Sequence, residues 1–335
     1  MSRIYEKRTE FKPYEYNNLL GYREAIRASR WDVEEFDFSE DIQDFHINLD
    51  SKERNTIKNA MLAISQIETE NVKTFWAEIG NIFPKPEIAM VGITFGENEI
   101  THSLAYAKLL EILGFNEEFK LLLKNPVIEG RVNYLTKYLR NVGDNPQQFQ
   151  ALKLALFSLF VENVSLFSQF AIIKSFRKHK NYLKSIDNVV LSTQKDELVH
   201  AKFGIELLRI IKSENPEWFN DEFYEKIYRA CNKAYLAEEK ILEWIFEQGD
   251  LDFLKLEDIK EFTRSRFNDS LIDIGAKPIF EIDKNKLSSL KWFVEEIYAY
   301  TRNDFFNTKS ANYNKVSVKT ADVIGAIRRV KNEMV

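Results

Sequence analysis

The chain has 335 residues, 44% hydrophobic and 30% charged, a balance that excludes disordered, collagen-like and low-complexity polymers. Its net charge of −5 argues against a nucleic-acid-binding surface. A single cysteine, Cys231, excludes an intrachain disulfide framework, a cysteine-rich zinc site and a dithiol redox pair, and fits a reducing compartment. With only 11 Gly and 7 Pro to break it, the chain reads as helix after helix. The opening segment, "MSRIYEKRTEFKPYEYNN", lacks the apolar run of a signal peptide, so a cytoplasmic protein is expected, with an N-terminal arm over about residues 1–30. Ser51 is a candidate N-cap for a helix reaching about Gly80, with Ile57, Met61, Ile64, Glu68, Phe75 and Ile79 on one stripe. Pro86 suits the first turn of a helix over Glu87–Leu113, and Gly114 suits its stop. A shorter helix follows from "NPVIEG" toward Asn141, and "VGDNPQQ" reads as a turn. Beyond the central apolar stretch, helices are predicted over about Ile186–Ser213, Glu217–Gln248, Leu256–Ile274 and Lys284–Thr301. The pattern then weakens, which predicts one helical domain over 1–302 and a flexible tail over 303–335.

The apolar stretch Ala151–Ile173 is long enough to cross a bilayer. Lys153, Glu162, Asn163 and Gln169 interrupt it, and a charge at mid-membrane is costly. A core helix buried on most sides is the better reading, and no membrane association is expected. Glu162 then requires an explanation, because a carboxylate in an apolar helix must be paired, protonated or metal-bound.

Two of the four histidines complete Glu-x-x-His: Glu99–His102 in "ENEITHSLAY" and Glu197–His200 in "KDELVHAKFG". Residues at i and i+3 share a helix face, so each pair can offer an oxygen and an imidazole nitrogen to one ion. A lone pair of this kind is more often a solvated helix face. Here each pair lies on a predicted long helix that follows another carrying an inward carboxylate, Glu68 in the first case and Glu162 in the second. That doubled order is the ligand set of ferritin-like di-iron and di-manganese carboxylate proteins. Four carboxylates and two imidazoles suit two divalent first-row ions, which would also neutralise the buried charge at Glu162. Glu68 is preferred to Glu70 because it shares the stripe of Ile64 and Phe75. The expected fold is all-α, a ferritin-like helical bundle with a dinuclear metal site in a four-helix core.

"RWDVEEFD", "ENEITHSLAY", "FVENVSLF" and "QKDELVH", in that order, give a chain that resembles the radical-generating small (beta) subunit of class I ribonucleotide reductase over nearly its whole length. The resemblance implies that Glu68, Glu99 and His102 bind one metal, and Glu162, Glu197 and His200 the other. It puts Tyr106 at the radical-tyrosine position, Trp31 and Asp196 in a relay through His102, and Tyr313 as the tail tyrosine that passes the radical onward. The implied activity is that of the beta subunit of a ribonucleoside-diphosphate reductase. An oxygen species activates the metals, the oxidising equivalent is stored on Tyr106 or on the metal pair, and it is delivered to a catalytic cysteine of a separate large subunit for deoxyribonucleotide synthesis. The large subunit, a second copy of this chain, and an activating flavoprotein or superoxide source are the implied partners. Glu68 stands where many iron–tyrosyl members carry Asp, which leans toward a manganese-containing centre (Mn2 or Mn/Fe) over Fe2.

Other readings of the same residues are plainer. Trp31 can be a core aromatic and Tyr106 a buried tyrosine with one hydrogen-bond partner. Lys73 reads as exposed, His46 and His179 as surface residues, and Cys231 as a buried spectator. The six candidate ligands also fit a ligand-binding oxidase or another di-metal carboxylate oxygenase, or a metal-storage cage.

Overall fold

The computed structural model describes residues 3–69, 72–140 and 145–303. Eleven helical elements position the site. They are α1 (Leu20–Ala28), α2 (Ser51–Thr69), α3 (Val72–Ala77), α4 (Pro86–Leu113), α5 (Pro126–Arg140), α6 (Pro146–Leu156), α7 (Phe167–Lys180), α8 (Lys184–Glu214), α9 (Asp221–Ile245), α10 (Leu256–Asp273) and α11 (Lys291–Asn303). A π-helical segment, Phe157–Ser165, joins α6 to α7. Among the described residues no strand forms, and the one antiparallel bridge is Leu251 with Leu254.

Local chemistry accounts for most boundaries. Pro86 opens α4 and Gly114, at φ +82°, closes it in the left-handed conformation that glycine adopts without a Cβ clash. Asn145 accepts hydrogen bonds from the Gln147 and Gln148 amides, so α6 opens on an N-cap just before Pro146. Ser51 is not the cap of α2. Asp50 accepts from the Glu53 amide at 2.8 Å and Glu53 returns to the Asp50 amide at 3.1 Å, a capping box one residue earlier. Within the helix expected to reach Gly80, α2 and α3 are helical, and a turn at Glu78 parts α3 from a short helix, Ile79–Ile82.

α2, α4, α8 and the π segment with α7 form the central four-helix layer, and α9, α10 and α5 cover it. The apolar run on Pro146–Lys180 lies almost wholly inside the protein, as expected of a core helix. Residues 157–165 of it follow the wider π turn. The N-terminal arm is docked. Ile4 is fully buried, its amide donates to Glu214 at 3.0 Å, and the Glu15 and Tyr16 amides both donate to Glu87 Oε1 at 2.8 Å.

Candidate metal centre

Six side chains from four elements converge at the centre of that layer. Glu68 comes from the last turn of α2, Glu99 and His102 from the middle of α4, Glu162 from the π segment, and Glu197 and His200 from the middle of α8. All six are at most 1% exposed. Ser103 on α4 donates to the Glu68 carbonyl at 2.7 Å, which ties the end of α2 to the neighbouring helix where Glu68 enters.

Two groups of ligand-type atoms form, each within 4.8 Å: Glu68, Glu99, His102 and Glu197, and Glu99, Glu162, Glu197 and His200. Glu99 and Glu197 belong to both. Glu197 turns Oε1 to His102 Nδ1 at 3.0 Å and Oε2 to His200 Nδ1 at 3.5 Å. Glu99 turns Oε2 to His102 Nδ1 at 3.4 Å and Oε1 to His200 Nδ1 at 2.9 Å. Glu99 and Glu197 therefore stand between the two histidines, within reach of both groups. Glu68 and Glu162 sit at the outer ends, 3.8 Å from His102 and His200 respectively.

The donor set fits a pair of divalent ions. Both carboxylate oxygens of Glu68, Glu99 and Glu197, one of Glu162, and Nδ1 of both histidines are buried without a satisfactory hydrogen bond. Leaving so many polar atoms unpaired is costly unless they serve as ligands. All are oxygen or imidazole nitrogen, the donors that manganese and iron accept. Burial pushes the carboxyls of Glu68 and Glu162 well above the usual range. Glu197 lies below it: burial opposes its charge, but its close polar contacts with Glu162, His102 and His200 favour it more. Both imidazoles are raised despite burial, His102 chiefly by Asp196 and His200 chiefly by Glu99. Four carboxylates held together share protons in this way until a cation replaces them.

Around the His102 end the protein is polar. Asp196 Oδ2 lies 3.2 Å from His102 Nε2 and accepts from Trp31 Nε1 at 2.9 Å and Asn98 Nδ2 at 3.0 Å. An acceptor at Nε2 leaves Nδ1 as the metal-facing lone pair. Trp31 is 7% exposed and stacks beside His102 with ring centroids 6.0 Å apart. Tyr106, 1% exposed, lies one helical turn past His102. Burial and the charge of Glu68 push its phenol far up, so it stays protonated.

Around the His200 end the protein is aromatic. Phe95 packs on His200 at 4.2 Å between centroids, Trp76 lies at 6.0 Å, and Phe157 and Phe203 pack on Trp76. His200 Nε2 has no hydrogen-bond partner. Trp76 Nε1 donates to Glu162 Oε1 at 2.8 Å.

The structure thus brings together the six candidate ligands with Trp31, Asp196 and Tyr106. Tyr313, Glu70 and the side chain of Lys73 lie outside the described residues. His46 and His179 are exposed and Cys231 is buried, as expected. Sequence reasoning missed Trp76 and Asn98. Asn98 is next to Glu99 and within reach of inspection, whereas nothing local marks Trp76 as a partner of Glu162, 86 residues away.

A family model described as "Ribonucleotide reductase, small chain" matches residues 8–286. A probable ribonucleoside-diphosphate reductase small subunit of Invertebrate iridescent virus 3 is 24% identical over 326 residues, covering 93% of this chain and 85% of the viral protein. Among solved structures, the dimanganese(II) form of NrdF from Streptococcus sanguinis superposes with a TM-score of 0.72 at 18% identity, over 84% of this chain and 97% of that one. An R2-like ligand-binding oxidase with an aerobically reconstituted Mn/Fe cofactor gives 0.65 at 18%, over 79% and 95%. The shared architecture is the ferritin-like helical fold expected from the ligand pattern.

Proposed function

The chain belongs to the ribonucleotide reductase small-chain family, and on that premise we propose that it is the radical-generating beta subunit of a ribonucleoside-diphosphate reductase. One observation carries the reading: Trp31 Nε1 and His102 Nε2 meet on a single oxygen, Asp196 Oδ2, at 2.9 and 3.2 Å. Glu68, Glu99, His102, Glu162, Glu197 and His200 would hold a dinuclear centre of manganese, manganese with iron, or iron. When bound and met by an oxygen species, that centre supplies a one-electron oxidant. Glu68, one methylene longer than the Asp of many iron–tyrosyl members, favours the manganese-containing forms.

The protein's own residues govern how charge and protons move from there. An indole that loses an electron becomes acidic at Nε1, and Asp196 stands ready to take that proton along the existing hydrogen bond. Trp31 therefore passes charge without leaving an unpaired cation in a buried position. Tyr106 is buried and keeps its proton at neutral pH, so it can hold the oxidising equivalent only by giving up a proton and an electron together. Domain 1–302 houses this machinery, and the tail 303–335 carries Tyr313 to a large subunit that binds nucleotide and supplies the cysteines. The chain works as a homodimer in the cytoplasm, activated by oxygen, superoxide or a flavoprotein.

Mixing metal-loaded protein with its cognate large subunit tests this. Ribonucleoside diphosphate should be reduced by the pair and by neither alone. Trp31→Phe should fall to the level of the large subunit alone while keeping its metals, and deletion of 303–335 should do the same. Full activity in either variant removes the relay. Turnover of a small apolar substrate, unaffected by the deletion, would favour an oxidase.

A further inference from the structure

The helix that carries Glu162 is π-helical over Phe157–Ser165, a register that backbone energetics disfavour and that persists only where surroundings enforce it. Two buried arginines from different helices grip its main chain. Arg266 of α10 donates to the Asn163 carbonyl through Nε at 3.1 Å and Nη2 at 2.6 Å, and Nη2 also reaches Asn163 Oδ1. Asn163 Nδ2 in turn donates to Ser270 Oγ at 2.8 Å, one turn along α10. Arg131 of α5 donates to the Ser165 carbonyl at 3.3 Å, and Ser165 Oγ donates to the Phe160 carbonyl at 2.8 Å. Arg131 is otherwise engaged with Glu238 and the Ala63 carbonyl. Arg266 has a guanidinium committed to Asn163 and stacked on Phe167, 4.5 Å from the ring centroid.

We propose that Arg266, through its grip on Asn163, is a positioning residue that holds this helix in its π register and so keeps Glu162 within reach of the second metal position. A π turn offsets the chain by about one residue relative to an α-helix, and one residue of an α-helix is about 100° of rotation. Relaxation to α would therefore swing a side chain at position 162 or its successors off the axis of the site. Asn163 is the residue next to Glu162, and its carbonyl is the oxygen that the guanidinium fork satisfies. Nη2 reaches the carbonyl and the amide oxygen together, and the planar fork adds Nε as a second donor to the carbonyl, which fixes the direction of approach. The inference rests on the proposed dinuclear centre, because Glu162 matters to it only as a ligand.

The test is Mn(II) titration of the full-length apo chain, read as ions bound per chain and by electron paramagnetic resonance. The unaltered chain should take two ions and show a spin-coupled pair. A chain that takes none would refute the dinuclear reading itself. Arg266→Met should bind the first ion normally and the second about 10- to 100-fold more weakly, the usual cost of losing a supporting contact behind a ligand. Its spectrum should change from a coupled pair to isolated Mn(II), as in Glu162→Gln. A merely structural role would weaken both ions together or neither. If Arg266→Met fails to fold, Arg266→Gln, whose short amide cannot span both oxygens of Asn163, is read in the same way. Two ions at unaltered affinity, with a coupled spectrum in the folded variant, would overturn the proposal.

Discussion

The two ends of the metal cluster use the same ligand chemistry in opposite surroundings. Behind His102 stand Asp196, Asn98 and Trp31, with three donors meeting on one carboxylate oxygen. Behind His200 stand Phe95, Trp76 and Phe203, and Nε2 has no partner at all. One end is held by hydrogen bonds that converge on Asp196, the contacts on which the proposed relay rests. The other is packed by aromatic rings, and there Trp76 Nε1 donates to Glu162. The difference teaches that the neighbours, and not the near-symmetric candidate ligands, distinguish the two ends, and under the proposed function they would set the direction of transfer.

The most damaging break of that comparison removes what the two ends share. Glu197→Ala should abolish binding of both ions, because each of its oxygens faces a different histidine. Elemental analysis of the purified variant checks it, with two ions per unaltered chain as the reference. Metal uptake should also depend on pH. Glu68, Glu162, His102 and His200 all hold their protons to higher pH than usual, and each must lose one to act as a ligand. Uptake should therefore tighten as pH rises and release protons, which calorimetry in buffers of different ionisation enthalpy measures directly.

Smaller changes sharpen one end at a time. Asp196→Asn should leave both ions bound but interrupt the relay. With the large subunit, activity should fall far more than the roughly 10- to 100-fold shift in affinity expected at the His102 end. On the other side, Trp76→Phe keeps an aromatic ring but deletes the N–H that Glu162 accepts and leaves a small cavity at a fully buried position. Its expected cost is about 1–3 kcal/mol in the apo protein, the scale of leaving a buried acceptor without its donor, read by chemical denaturation. Gly204→Ala is expected to cost about 1–3 kcal/mol by overpacking. A Cβ there would stand 1.8 Å from Ser158 Oγ, so the π segment must move away from α8. Metal-free unfolding measures the cost, and it should exceed that of an alanine placed at Gly130, where nothing lies within 4 Å.

Much of the fold was legible because helices announce themselves locally. Pro86 and Gly114 bracket α4 by their own backbone preferences, and the expected Glu87–Leu113 and the observed Pro86–Leu113 differ by one residue. The misplacement of the α2 cap had a local cause too: Asp50 and Glu53 form the capping box, and Ser51 only looks like the cap because serine is a common one. The site was legible for the same reason. Glu-x-x-His is a spacing within one helix turn, and its doubling, with Glu68 and Glu162 upstream, names six side chains before any packing is known.

By itself, then, the sequence determined the helices, the six ligand-type side chains and the facing of Tyr106 with His102, all of which follow from a 3.6-residue period. Only the tertiary structure decided that Glu99 and Glu197 stand between the two histidines, that Trp76 donates to Glu162, and that Arg266 and Arg131 donate to carbonyls of the π segment. Those relations join residues tens to more than a hundred positions apart. No local period encodes them, because they arise from how helices cross and from which buried polar atoms must find a partner once water is gone.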